Sequence, residues 1–325
     1  MLALSRRVTA LRSVLNAAPT TAASLQPHLQ QHPHQQRPAD HQVRHFAASE
    51  KVVKQRMRSV KSIQKITKAM KMVAASKLKN DQRRLENGMP FAQPVMTLLK
   101  KLPQDSAALK PTGKEDTLMV ALSSDKGLCG GVNSSVAKLA RNTTLEKEGE
   151  GGVVRIFGVG DKIRAALERL FADRFARMVS EVTRNPWNFT MACIIATRVL
   201  KMNPTKCLLL FNHFKSVISY ETTAMPLLTP ADAEKLDKRE LDTYEFEPET
   251  REIWQDIHEF YFACTLYGCM LDNIASEQSA RMSAMDNASK NAGEMLDKLT
   301  LAYNRARQAK ITTELIEIIS GASAL

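Results

Sequence analysis

Chemistry in this chain would first be sought in Ser123-Ser-Asp-Lys-Gly-Leu-Cys-Gly-Gly131, which follows an apolar run and precedes a helical pattern. A glycine-rich turn between strand and helix is where open α/β sheets bind phosphates, because backbone N–H groups and the helix N-terminus face the ligand. The spacing is not that of a P-loop, GxxxxGK[ST], and Gly158-Val-Gly160 after the next apolar run lacks the third glycine of a dinucleotide fingerprint. Tight strand-to-helix turns account for both stretches without a ligand. Cys129 beside Asp125 and Lys126 would suit an activated nucleophile, but within the same α/β stretch the one histidine that could act as its base is His213, and nothing in the sequence aligns the two. The five cysteines, Cys129, Cys193, Cys207, Cys264 and Cys269, form no CxxC pair, and an odd, scattered count points to reduced, mostly buried thiols. His28, His32, His34, His41 and His45 could ligate a metal, yet the Pro and Gln between them supply no scaffold. No catalytic set emerges, and no cofactor, metal or small-molecule substrate is expected.

The element that would have to position anything in this chain is the stretch from Glu249 to Leu325, in which proline is absent and glycine occurs only at Gly268, Gly293 and Gly321. Alternating steps of four and three residues from Ile253 pass through Ile257, Phe260, Cys264, Tyr267, Leu271 and Ile274, then Met285, Ala288, Ala292, Met295, Leu299, Ala302, Ala306 and Ala309; Gln278 and Arg281 interrupt the seam. That is the 3.5-residue repeat of a left-handed coiled coil, and it predicts one helix about 110 Å long at the α-helical rise. Shorter helices broken at Gly268 and Gly293 are the alternative, since an interior glycine costs only ~1 kcal/mol.

A second long helix is predicted near the amino-terminal end. From Lys51 to Arg84 twelve basic residues face one acid, Asp81, and Val53, Met57, Val60, Ile63, Ile66, Met70 and Val73 mark an apolar stripe. Pro90 and Pro94 predict a bend, with an end near Lys101. Such a basic run suits nucleic acid phosphates, but without aromatic interleaving or a nucleic-acid module an acidic protein surface satisfies the same electrostatics. Between the helices, Thr117–Leu122, Val153–Phe157, Lys206–Asn212 and Val217–Thr222 read as strands, with a last extended piece at Leu241–Phe246. Val132–Glu148, Lys162–Phe171 and Trp187–Lys201 read as helices, and the alternation predicts a small α/β domain with a largely parallel sheet. The fold class is thus α plus α/β: an antiparallel coiled coil of amino- and carboxy-terminal helices with an inserted Rossmann-like domain.

Residues 1–46 carry Arg6, Arg7, Arg12, Arg37 and Arg44 against Asp40 alone, which reads as a mitochondrial transit peptide. Arg44-His-Phe46 before Ala47 resembles a processing site. Removing that net +4 from the chain's +12 leaves about +8. The expected parts are therefore 1–46 transit peptide, 47–104 first helix, 115–248 α/β domain and 249–325 second helix. No apolar run reaches the ~18 residues a membrane span needs. Counting back along the antiparallel pair sets Glu50 beside about Leu301 and leaves the rest of the second helix as an overhang with Ile311, Leu315, Ile316, Ile318 and Ile319 on it.

Four stretches carry a family resemblance. Ile63-Gln-Lys-Ile-Thr-Lys-Ala-Met-Lys-Met-Val-Ala-Ala-Ser-Lys77, Ser124–Asn133, Ser276–Ala292 and Tyr303–Ala322 resemble, in colinear order, blocks of the ATP synthase gamma subunit family. The likeness spans Ser49 to Leu325; the cysteine-pair insert of the chloroplast members is not found, so thiol switching of that kind is not expected. The resemblance implies a rotor shaft inside a ring of alpha and beta subunits, with epsilon- and delta-type stalk subunits and the membrane c-ring on the α/β domain, and catalysis at beta. It further implies that Arg307, Gln308 and Thr312 match positions forming a catch with a beta-subunit loop, that Met70 lies in the rotor-stator contact region, and that Lys68 and Lys71 face an acidic beta-subunit loop. A basic coiled-coil scaffold or nucleic-acid-binding mitochondrial protein is the alternative, and it leaves the inserted domain unexplained.

Overall fold

The computed structural model describes residues 50–100, 116–182, 186–227, Thr229 and 250–324, all within one compact unit, Ala48–Leu325. The expected transit peptide and the extended piece at Leu241–Phe246 lie outside the described residues.

Helix α1 spans Glu50–Lys100, 51 residues, and passes through Pro90 and Pro94 without ending. Helix α5 spans Thr250–Ser323, 74 residues, uninterrupted at Gly268 and Gly293, so the shorter-helix alternative falls away. The two pack antiparallel: Gly88 lies against Leu271, Lys71 against Asp286, and Glu50 against Tyr303. The register is two residues from the expected one. A Cβ at Gly88 would stand 2.5 Å from Leu271 Cδ1, so any larger residue there would require the Leu271 side chain to shift.

The seam of α1 departs from the expected stripe. Val53, Thr67, Ala74 and Asp81 and, half a repeat on, Leu78, Leu85 and Ala92 are the buried positions, at multiples of seven, whereas Ile63, Ile66 and Val73 are exposed. Successive three-residue steps from Met57 to Ile66 each fall ~60° short of a full turn, so that stripe rotates off the interface, while a seven-residue repeat stays on it.

Strands β1 (Asp116–Leu122), β2 (Val153–Val159), β3 (Phe175–Val179), β4 (Lys206–Phe214) and β5 (Tyr220–Leu227) form one sheet in the order β3-β2-β1-β4-β5. All pairings are parallel except β4 with β5. Helices α2 (Val132–Gly149) and α3 (Asp161–Phe171) cover one face over a core of Met119, Ala121, Ile156, Ile163, Leu167 and Leu210. Helix α4 (Phe189–Leu200) and the middle of α5 cover the other, over Leu118, Val120, Phe157, Leu209, Phe262 and Leu266. The long helix α5 is therefore itself a layer of the α/β domain. The strand expected at Val217–Thr222 begins later, because Ser216–Ser219 close a tight turn, and it runs on through Pro226 to Leu227.

Candidate functional site

The turn from Ser123 to Asn133 is closed by hydrogen bonds within itself and to the neighbouring β2, α3 and the loop after β3, where Asp125 Oδ1 accepts from Asp161 N (3.3 Å) and Glu181 N (3.1 Å). Ser123 Oγ donates to Val159 O (2.9 Å) and accepts from Ile163 N (3.0 Å), tying β1 to β2 and α3. Asn133 Nδ2 donates to Ser124 Oγ (2.8 Å) and Cys129 Sγ (3.1 Å), and its Oδ1 accepts from Ser124 N (3.0 Å). Gly160, at φ +92°, allows the backbone of Ser123 to press against it, a position closed to any side chain. Gly130 lies beside Ala280 and Ala284 of α5, so the turn rests on the shaft. Cys129 is not joined to His213: its partners are those of the turn, while His213 Nδ1 meets Asp272 Oδ2 at 2.7 Å. None of the five cysteines is in a disulfide, and burial pushes the Cys207 thiol up to about 12 and the Cys264 thiol up to about 11.

The residues singled out by the resemblance fall at two separate levels of the shaft. On α1, Lys68 is exposed and Met70 and Lys71 half-buried; Lys68 and Lys71, though not Met70, line a cleft of about 470 Å³ between the helices with Gln64, Lys65, Met72, Asp286 and Ser289. Lys71 Nζ donates to Asp286 Oδ1 at 2.6 Å, and Lys290 Nζ reaches Oδ2 at 2.9 Å; the Lys71 hydrogen bond, then that of Lys290, holds the Asp286 carboxyl below its usual range. Lys71 thus bridges the helices rather than standing free. Arg307, Gln308 and Thr312 lie about 30–40 Å beyond Asp286 along α5 at the helical rise, all exposed, with Thr312 Oγ1 donating to Gln308 O at 3.0 Å. They begin just beyond the point where Glu50 accepts from the Tyr303 hydroxyl (2.9 Å), a bond that raises the phenol's pKa.

A buried charged layer went unseen in the sequence. Glu277 is 3 % exposed and paired with Arg281, which also donates to Gln278 Oε1 at 2.9 Å, and Asp81 of α1 is 8 % exposed. Burial raises the Glu277 carboxyl, Arg281 pulls it back, and Asp125 and Asp81 raise it further. Gln278 and Arg281, which looked like breaks in the seam, are where the coiled coil meets the turn after β1. The only sequence signal was their polarity in an otherwise apolar register.

An ATP synthase family model matches residues 49–325. The chain is 46% identical over 285 residues to the mitochondrial ATP synthase gamma subunit of Arabidopsis thaliana, covering 85% of this chain and 86% of that protein. It is 41% identical over 281 residues to that of Rattus norvegicus, covering 86% of this chain and 100% of the relative. Its fold matches a chain in the cryo-EM structure of the Tetrahymena thermophila mitochondrial ATP synthase central stalk and c-ring with a TM-score of 0.58 and 36% identity, over 69% of this chain and 99% of that one. With a coiled coil around an inserted Rossmann-like domain and a match over its whole described length, the chain belongs to the gamma subunit family of ATP synthases.

Proposed function

We propose that this chain is the central rotor shaft of a proton-driven mitochondrial ATP synthase, on the matrix side of the inner membrane. The observation that carries the reading is the asymmetry of α5, clamped at its root by α1 and the α/β domain and bare at its tip. Its partners are the alpha and beta subunits around the coiled coil, and the epsilon- and delta-type stalk subunits and c-ring on the α/β domain. No described helix is long and apolar enough to cross a membrane. The family match leaves no segment between 49 and 325 for a nucleic-acid-binding scaffold to explain.

Such a shaft performs no bond chemistry; catalysis lies at beta. The side chains of Ser123, Ser124, Asp125 and Asn133 tie the turn to its neighbours, a structural role for the one stretch in which chemistry would first be sought. The shaft acts as a ligand with differential affinity for several states of the ring: a partner shifts a conformational equilibrium only by binding its states unequally. Lys68, Met70 and Lys71 form the contact near the root, where the basic cleft faces acidic beta-subunit loops, and Arg307, Gln308 and Thr312 form the catch higher on the shaft. The tip, Ser320 to Leu325 with the isoleucines before it, turns as an apolar bearing that has no directional bonds to break at each step. The test is to fix the ring, attach a bead to the α/β domain and supply ATP. Unidirectional stepping is expected; a bead that only diffuses while ATP is hydrolysed overturns the rotor reading.

A further inference from the structure

Strand β1 stops pairing with β4 at Ala121–Leu210, so beyond that point β4 has no neighbouring strand on its inner side. The free backbone groups of Asn212 are taken up by side chains of α5: Asn212 N donates to Asn273 Oδ1 (3.2 Å), and Asn212 O accepts from Ser276 Oγ (3.0 Å). The Asn212 side chain, fully buried, donates to Asn273 Oδ1 (3.0 Å) and accepts from Thr222 Oγ1 of β5 (2.7 Å). One turn further along α5, Ser279 Oγ donates to Val217 O (2.6 Å) in the β4–β5 turn. At the other end of the row Asp272 meets His213. Helix α5 therefore continues the hydrogen-bonding ladder of the sheet with a row of side chains on one face.

Apolar burial is non-directional and resists separation more than sliding. Hydrogen bonds weaken steeply with misalignment, and a buried polar group left unpaired carries its full desolvation penalty. Turning the α/β domain about the α5 axis would disrupt the whole row together.

We infer that Asn273, Ser276 and Ser279, engaging Asn212 and Val217, are the positioning residues that make the joint between foot and shaft torsionally stiff, so that torque applied to the α/β domain reaches the coiled coil. This rests on the rotor reading, and the test separates the two. In the assembled synthase, with the ring fixed and a bead on the α/β domain, angular fluctuation during pauses reports the stiffness of the joint. The variant Ser276→Ala/Ser279→Ala is compared with Leu85→Ala, which truncates an apolar contact with Leu271 and Ala275 at the same level but no directional bond. The expected result is a several-fold widening of the fluctuation and a loss of ATP-driven proton pumping per ATP hydrolysed in the serine variant, with the leucine variant close to unmodified. Adding Asn273→Ala widens it further. Normal stepping with unchanged fluctuation in the serine variant, or an equal widening in Leu85→Ala, overturns the inference while leaving the rotor reading intact; absence of stepping in the unmodified synthase overturns the rotor reading itself.

Discussion

Between Tyr261 and Met285 helix α5 is buried on nearly every side, with Cys264, Leu266, Ala275 and Ser276 fully enclosed, whereas from Leu301 to Ala324 the same helix is exposed around almost its whole circumference. The root is held by α1, α4 and the sheet through apolar cores and buried hydrogen bonds. The tip presents Ile311, Leu315, Ile316, Ile318 and Ile319 at 48–67 % exposure; among the described residues its side-chain ties to α1 are those of the Tyr303 hydroxyl and Lys310 to Glu50, and beyond Lys310 its side-chain bonds are local to the helix. A free helix this apolar is marginal in water, because helical stability comes largely from packing an apolar face. The contrast teaches that helicity here is inherited from the root, and that the tip's apolar surface is left for a sleeve supplied by a partner.

The comparison breaks first in stability. Phe262→Ala at the root should cost about 3–5 kcal/mol as a large core truncation. Ile318→Ala at the tip should stay within about 0.5 kcal/mol, as surface changes do. Denaturant unfolding of the purified subunit measures both; equal losses would erase the distinction between root and tip. Glycine gives the next contrast. Gly88→Ala makes Leu271 shift to admit a methyl, an overpacking cost of ~1–3 kcal/mol offset by ~1 kcal/mol of helix propensity, so it should destabilise by up to ~2 kcal/mol net, whereas Gly321→Ala, facing open space, should be neutral or stabilise its helix by up to ~1 kcal/mol.

The charged layer at the root adds a pH signature. A carboxyl raised by burial binds protons more tightly in the folded state, so the stability tied to Glu277 is fully present below its ordinary value of 4.5 and is lost as pH rises through its raised folded value. Glu277→Gln should flatten that decline in a series of melting curves, and an unchanged slope would remove Glu277 as its source. The smallest effect is expected at the basic cleft. Reversing Lys65 and Lys68 to glutamate should weaken assembly with the ring by ~0.2–1 kcal/mol per exposed pair. The loss should shrink with added salt, since exposed charges are screened over ~8 Å at physiological ionic strength. A salt-independent loss would mean that the cleft does not work by charge.

What could be read in the sequence tracks this same division. Both long helices, the insertion between them and the bare tip were legible, because proline and glycine are scarce there and the apolar repeat is sustained. Strand β3 was missed: Phe175-Ala-Arg-Met-Val179 is a half-exposed edge with an exposed arginine at its centre, and it follows a helix and a short 3₁₀ turn directly. Val217 and Ile218 have strand-forming side chains but sit exposed in a turn whose carbonyl at Val217 is claimed by Ser279, a tertiary contact no local signal announces. The joint itself was invisible for the same reason: Asn212, Asn273 and Ser276 are ordinary polar residues until the end of β1 leaves a gap for them to fill. The candidate contact residues were named by resemblance, and the structure separates them into two levels and engages Lys71 with Asp286.

The division of α5 into a gripping root, a catch and a slipping tip is tested most directly by a truncation series in the assembled synthase, read as ATP-driven rotation and coupled synthesis. Removing residues from Leu325 back to Ser320 should leave both close to unmodified, while Gln308→Ala and Thr312→Ala lower coupled synthesis. Loss of function on removing the last few residues, with Gln308→Ala without effect, would contradict the account.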